Sequence, residues 1–302
     1  MISIKKILLV LIVVLLSVGA IFPLLQNGFF GFHDNTQVVR VFEMGKAMSD
    51  GMFPVRWSQD LGYGYGYPIF NFYSPLPYYV GGFFFLSGFD VLSATKLMFA
   101  VGILFSGISM FFFSKKFFGT KAGLASAVIY AYFPYHAVNI YIRGAVGEFF
   151  AYAFLPLIFL SLYSLFALKK EKTFLLKNFG TISLVAFSIF LIATSHNLSL
   201  YMLLFILLPF FPLSFFLVKS KRLFLIISFI SIVLGLALSS FYIIPAFFEM
   251  RYSNVNSQIG GGADFRDHFV CVEQYWNSMW GYGGSVKGCI DGLSFKLGKV
   301  NT

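Results

Sequence analysis

"PLPYYVGGFFFLSGF", residues 75–89, decides the fold. The run is apolar, but at about 14 residues it falls short of the roughly 20 that a helix needs to cross a bilayer core. Read as a span, it would send the loops "KKFFGTK" (115–121) and "KKEKTFLLK" (169–177) to the outer side of the membrane. Read as a re-entrant or interfacial helix on the outer side, it leaves both loops inside, with Lys5, Lys6 and the cluster "KSKR" (219–222). The inner segments then hold twelve of the 22 Lys and Arg residues and only one of the 12 acids, Glu171. Basic residues concentrate on the cytoplasmic side of membrane proteins, and the short-helix reading satisfies that rule.

The rest of the chain is as apolar as this run. Of its 302 residues, 58% are hydrophobic and 11% charged, with 42 Phe and 17 Tyr; a soluble domain is about one-quarter charged. We expect an all-α polytopic membrane protein with about seven transmembrane helices, near 7–26, 92–114, 122–141, 146–168, 179–195, 197–218 and 223–246. A transmembrane β-barrel would show short alternating segments instead. Lys5 and Lys6 ahead of an apolar run fit a signal peptide, but the run continues to about Leu25 with no A-x-A site, so it reads as a retained first span. With the N-terminus cytoplasmic, His33, Asp34, His136, Arg143, Glu148, His196 and the chain after Phe247 fall at or beyond outer span ends. The functional face is expected to be extracytoplasmic, on a multi-pass cell-membrane protein.

Residues 1–246 form the expected transmembrane module, with a long outer loop at 27–75. Within that loop, "DNTQVVRVFEMGKAMSDG" reads as a surface helix over 35–50. Asp34 suits its N-cap, Gln37 the capping-box position, and Gly51 its end. Val38, Val39, Phe42 and Ala47 give one apolar face; Arg40, Glu43, Lys46 and Asp50 give a charged one, as in a helix lying on a membrane. Trp57 and the tyrosines from Tyr63 to Tyr79 suit the headgroup zone, sugar stacking or the flank of a lipid chain. Residues 247–302 form an outer, Gly- and aromatic-rich tail that reads as the start of a longer region. Its two cysteines, Cys271 and Cys289, fit either a disulfide or two free thiols. The basic residues are spread over separate inner loops, so the charge of +10 marks topology rather than nucleic-acid binding.

The candidate chemistry lies on the outer side. Asp34 suits a helix cap or a general base taking a proton from a hydroxyl. Arg143 and Glu148, in "YHAVNIYIRGAVGE" (135–148), suit a structural ion pair, or a guanidinium that holds phosphate with Glu148 orienting it. His33, His136, His196 and His268 match no metal-ligand spacing. Asn197 heads a glycosylation sequon that hugs the membrane. No G-x-S-x-G, Walker A or Rossmann fingerprint occurs, so no nucleotide cofactor is expected.

These features resemble the GT-C superfamily of membrane glycosyltransferases. Shared are an acid just after the first span, a surface helix in the first outer loop, "PLPYY" leading into the next apolar segment, the basic inner turn "KKFFGTKAG", and an outer loop with Arg143 and Glu148. A closer resemblance runs through "GMFPVRWSQDLGYGYGYPIFNFYSPLPYYV", "AYFPYHAVNIYIRGAVGEFFAYAFLPL", "SHN" and "WGYGGSVKGCIDGLSFKLG". On these the chain is identified as a member of the 6-pyruvoyl-tetrahydropterin synthase-related membrane family. The soluble synthase in that label is a small zinc enzyme, and this chain has neither its size nor a zinc triad. The GT-C resemblance implies transfer of a sugar from a polyprenyl-phosphate donor to a glycan, lipid or protein acceptor on the outer face. It makes Asp34 the catalytic base and Arg143 the phosphate ligand, helped by Lys96 or Arg56. It places Glu148, His136, His196, Arg56, Trp57, Tyr65 and Tyr67 around the substrate. Many relatives pair two acids in the first loop; here Asp34 stands alone until Glu43, which leaves a divalent cation open. A lipid or glycan flippase and a non-catalytic assembly protein are the competing readings.

Overall fold

A computed structural model describes residues 4–29, 31–254, 264–267, 269, 271, 272, 274, 288 and 289. Its regular elements are helical, and no strand occurs among the described residues beyond one isolated bridge between Ser58 and Tyr67. Helix α1 (Ile4–Ile21) ends in a 3-10 turn, Phe22–Leu25. The long segment after it carries α2 (Gln37–Ser49), α3 (Ile69–Phe72) and α4 (Leu76–Leu86). Helix α5 (Val91–Ala131) follows, then α6 (Pro134–Ala137), which runs into a π-helical turn, Val138–Arg143. Helices α7 (Val146–Ser164), α8 (Phe174–Lys177), α9 (Phe179–Ser195), α10 (Asn197–Leu217) and α11 (Lys221–Glu249) complete the order.

The pivotal run folds as α4, which has 11 residues. At 1.5 Å per residue that is about 16 Å, roughly half of a 30 Å hydrocarbon core. Helix α4 instead packs between α2 and α5. Glycines set how close it comes: a Cβ on Gly81 would lie 2.6 Å from Val41, one on Gly82 2.9 Å from Met44, and one on Gly45 2.4 Å from Phe85.

Among the described residues, five helical segments are long and apolar enough to cross a membrane. The difference from seven lies in two places. Helix α9 has 17 residues, just under spanning length. Helix α5 is one unit only in its hydrogen bonding: at Gly119 the backbone turns left-handed, with φ 84°. The two limbs then fold back on each other, because the Ser114 and Ser126 hydroxyls, twelve residues apart, lie 2.9 Å from one another. The basic 115–121 loop is that hairpin's tip. The second limb also ends sooner than the sequence suggests, at Ala131 rather than near 141. Pro134 restricts the residue before it to extended backbone, so the chain restarts as α6.

The bundle packs in the sequence α1, α5, α7, α9 and α11, while α10 buries only Leu203 and Ser214. Small residues bring the helices together, as in other membrane bundles. Gly107 faces Ser17, Gly102 faces Phe149, Gly147 faces the Ser195 carbonyl, and Gly235 faces Ile189 and the Ala186 carbonyl. In the tail, Cys271 and Cys289 form a disulfide with Cα atoms 5.6 Å apart; His268 lies outside the described residues.

The α9–α11 contact is testable. A Cβ at Gly235 would stand 2.8 Å from the Ile189 Cβ and 2.9 Å from the Ala186 carbonyl oxygen, whereas one at Gly180 meets nothing within 4 Å. Gly235→Leu should overpack the interface by about 1–3 kcal/mol and lower the detergent-solubilised melting temperature by several degrees. Gly180→Ala should leave it unchanged.

Candidate functional site

The candidate site grows from the way the π-helical turn ends. Gly144 takes a left-handed conformation, φ 66°, and the Ala145 N–H returns to the Asn139 carbonyl at 2.9 Å. The carbonyls of Ile142, Arg143 and Gly144 then face the segment leaving α1. His33 N–H donates to Ile142 O at 3.0 Å, Asp34 N–H to Arg143 O at 2.9 Å, and Gln37 Nε2 to Gly144 O at 2.6 Å. Phe32 closes over Gly144, where a Cβ would lie 2.2 Å from its ring. The Phe32 ring packs edge-on against Phe99, 6.0 Å between centroids.

This stitch overturns the capping reading of Asp34. Helix α2 starts at Gln37, and its N-cap, Thr36, makes no side-chain cap bond. The Asp34 carboxylate pairs instead with His33 Nδ1 at 2.9 Å, with the aspartate side chain 30% exposed. Gln37 is no capping-box partner either: it is fully buried, spending Nε2 on Gly144 and Oε1 on the Tyr78 hydroxyl at 2.6 Å. The charged face expected on α2 is also partly inside. Glu43 is buried, its carboxylate accepts from the Asp60 N–H, and burial raises its pKa. Gly51 does end the helix, with φ 82°.

Arg143 and Glu148 form a closed ring. Arg143 Nη1 lies 2.8 Å from Glu148 Oε2, 2.7 Å from Asn139 Oδ1 and 3.0 Å from the Tyr135 hydroxyl, which donates to Glu148 Oε1 at 2.8 Å. Asp34 lies within electrostatic reach of Arg143. His196 caps α10, its Nδ1 accepting from the Ser199 N–H at 3.3 Å, and its ring edge faces Gly147. Burial lowers the pKa of His196, Glu148 opposes that shift and Arg143 adds to it. Asp34, Arg143, Glu148 and His196 thus share one corner.

The other expected residues sit elsewhere. His136 is 2% exposed, enclosed by the rings of Tyr130, Phe149 and Tyr152, so it packs behind the corner instead of facing a ligand. Arg56, Trp57, Tyr65 and Tyr67 belong to a hairpin closed by Ser58 and Tyr67. Trp57 lies on Gly66, Tyr65 projects outward at 89% exposed, and Arg56 Nη1 is 3.9 Å from Glu249. Tyr67 lines a cavity of about 1060 Å³ with Phe72, Asn197, Tyr242 and Phe247, between α10 and α11. Asn197 accepts from the Tyr242 and Ser74 hydroxyls there. Among the described residues, no group of three His, Cys, Asp or Glu side chains is arranged to hold a metal ion.

Sequence reasoning missed Tyr135 and Asn139, and took Tyr78 only as one of the tyrosines from Tyr63 to Tyr79 suited to the headgroup zone, sugar stacking or the flank of a lipid chain. Tyr135 and Asn139 carried a signal, being eight and four residues before Arg143; that spacing shares a face on a helical turn.

The stitch predicts a difference between two glycines that both have positive φ, Gly28 and Gly144. Alanine in the left-handed region costs about 1–2 kcal/mol at either position. Only at Gly144 does it also collide with Phe32. Gly144→Ala should therefore lower thermal stability clearly more than Gly28→Ala, measured side by side in detergent.

Residues 70–258 match the model of a family described as "6-pyruvoyl-tetrahydropterin synthase related domain; membrane protein". No curated protein matches the chain.

Proposed function

We propose that this chain, which belongs to the 6-pyruvoyl-tetrahydropterin synthase-related membrane family, is a glycosyltransferase. It transfers a sugar from a polyprenyl-phosphate donor to an acceptor on the extracytoplasmic face. The N-terminus is cytoplasmic, and the acceptor is a glycan, a lipid or a protein. The observation that carries this reading is the stitch of residues 33–37 onto 142–144, which fixes a partly exposed carboxylate near the Arg143–Glu148 ion pair.

In the proposed reaction the acceptor oxygen attacks the anomeric carbon while the bond from that carbon to the phosphate oxygen breaks. The phosphate leaves with the bonding electrons, and the acceptor proton passes to the Asp34 carboxylate. His33 Nδ1, 2.9 Å from Asp34 Oδ1, aims that carboxylate. Such a step needs a positioned base and fixed positive charge more than a covalent nucleophile. The Arg143–Tyr135–Glu148 ring supplies a rigid wall whose dipoles do not reorganise. The cavity at Tyr67, mostly apolar, suits the donor's hydrocarbon chain.

Glycan and glycolipid profiles of cells expressing wild type, a deletion, or Asp34→Asn at equal membrane levels test this. The deletion should lose a glycan, and Asp34→Asn should fail to restore it while a polyprenyl-linked sugar accumulates. Full restoration by Asp34→Asn would remove the catalytic role and favour a flippase or an assembly protein.

A further inference from the structure

Arg40 presents a charge with no counter-charge. It stands in the first turns of α2, half-buried, its guanidinium carbon 4.0 Å above the Tyr73 ring. Nη1 donates to the Tyr78 hydroxyl at 3.2 Å, and Nε is buried with no hydrogen-bond partner. Among the described residues, no carboxylate lies within 4.0 Å of it, whereas Arg143 has Glu148 and Arg56 has Glu249. Tyr78 cannot neutralise it. The phenol is fully buried, burial drives its pKa up, and its proton is committed to Gln37. Asp34 is close enough to act electrostatically on Tyr78, but its carboxylate is engaged by His33.

Guanidinium stays protonated at any physiological pH. Removing a charge from water is costly unless it is paired, so a half-buried arginine held only by aromatic groups is poised for an anion. Its surroundings are prepared for one. The cation–π contact covers one face of the guanidinium plane, and Tyr78 takes one nitrogen. Nε is unpaired but closed off from solvent, so an anion reaches the guanidinium at its terminal nitrogens, and guanidinium N–H groups match the oxygens of a phosphate.

We infer that Arg40, seated on Tyr73 and braced by Tyr78, is the ligand for a phosphate mono- or diester at the outer corner, in place of the already neutralised Arg143. That the phosphate is a donor headgroup rests on the glycosyltransferase reading; that an anion binds there does not. Arg143 then acts on the reaction only through its field and through Glu148.

The test is binding to the purified full chain in dodecyl maltoside, with farnesyl phosphate, farnesol and inorganic phosphate as probes. Wild type should bind farnesyl phosphate and ignore farnesol. Arg40→Gln should weaken farnesyl phosphate binding at least tenfold, and Arg40→Lys, which keeps the charge but loses the fork, at least threefold. Asp34→Asn should bind at least as tightly as wild type, which separates loss of the anion site from loss of sugar transfer. Inorganic phosphate binding as tightly as the prenyl ester would support the anion site and identify free phosphate as its ligand. Two results would overturn the inference: wild type that binds neither phosphate probe, or Arg40 variants that bind normally while Arg143→Gln does not. Should Arg40→Gln not fold, Arg40→Lys with wild-type affinity overturns it equally.

Discussion

Three backbone carbonyls, those of Ile142, Arg143 and Gly144, hold one corner of this architecture together. They come free because a π-helical turn closes on a left-handed glycine, and a free carbonyl in apolar surroundings needs a donor. The donors come from a segment more than a hundred residues earlier, at His33, Asp34 and Gln37. Much else follows from that join. It carries Phe32 into the core against Phe99, sets where α2 starts, and thereby places Arg40 over Tyr73. It also brings Asp34 to the turn that leads into α7 and Glu148.

Charge is divided unequally across that corner. Arg143 is neutralised by Glu148, and a carboxylate, an amide and a phenol converge on one of its nitrogens. Such a closed ring is rigid, and Glu148 cancels the charge that a phosphate would seek there. Arg40 has the opposite arrangement, with aromatic support and no acid. The large cavity between α10 and α11 is a third region, apolar and distinct from both. A lipid-linked substrate, with a hydrocarbon tail, an anionic link and a polar head, has features that suit all three.

The helical membrane class was legible because it depends on composition and run length, which need no partner. The shortness of the 75–89 run likewise marked α4 as a non-spanning helix. Local rules failed where a distant segment outbid them. Asp34 and Gln37 carry a capping pattern, yet Gln37 finds Gly144 and Tyr78, and Asp34 finds His33. Glu43 looked like part of a solvated stripe but is buried against the 58–60 segment. His136 looked accessible because it sits near a span end; three aromatic rings enclose it, and no local pattern announces that. Helix breaks were readable in principle: Pro134 ends the second limb of α5 about ten residues before its hydropathy does.

The account depends on the Asp34 corner and the basic loops lying on opposite sides of the membrane. Single cysteines at Asn35 and Glu171, both exposed, test that with a membrane-impermeant maleimide on intact cells. The account predicts that Asn35→Cys is labelled at once and Glu171→Cys only after permeabilisation. The reverse pattern, with Glu171→Cys labelled on intact cells and Asn35→Cys protected, would put the corner in the cytoplasm and contradict an outer-face site.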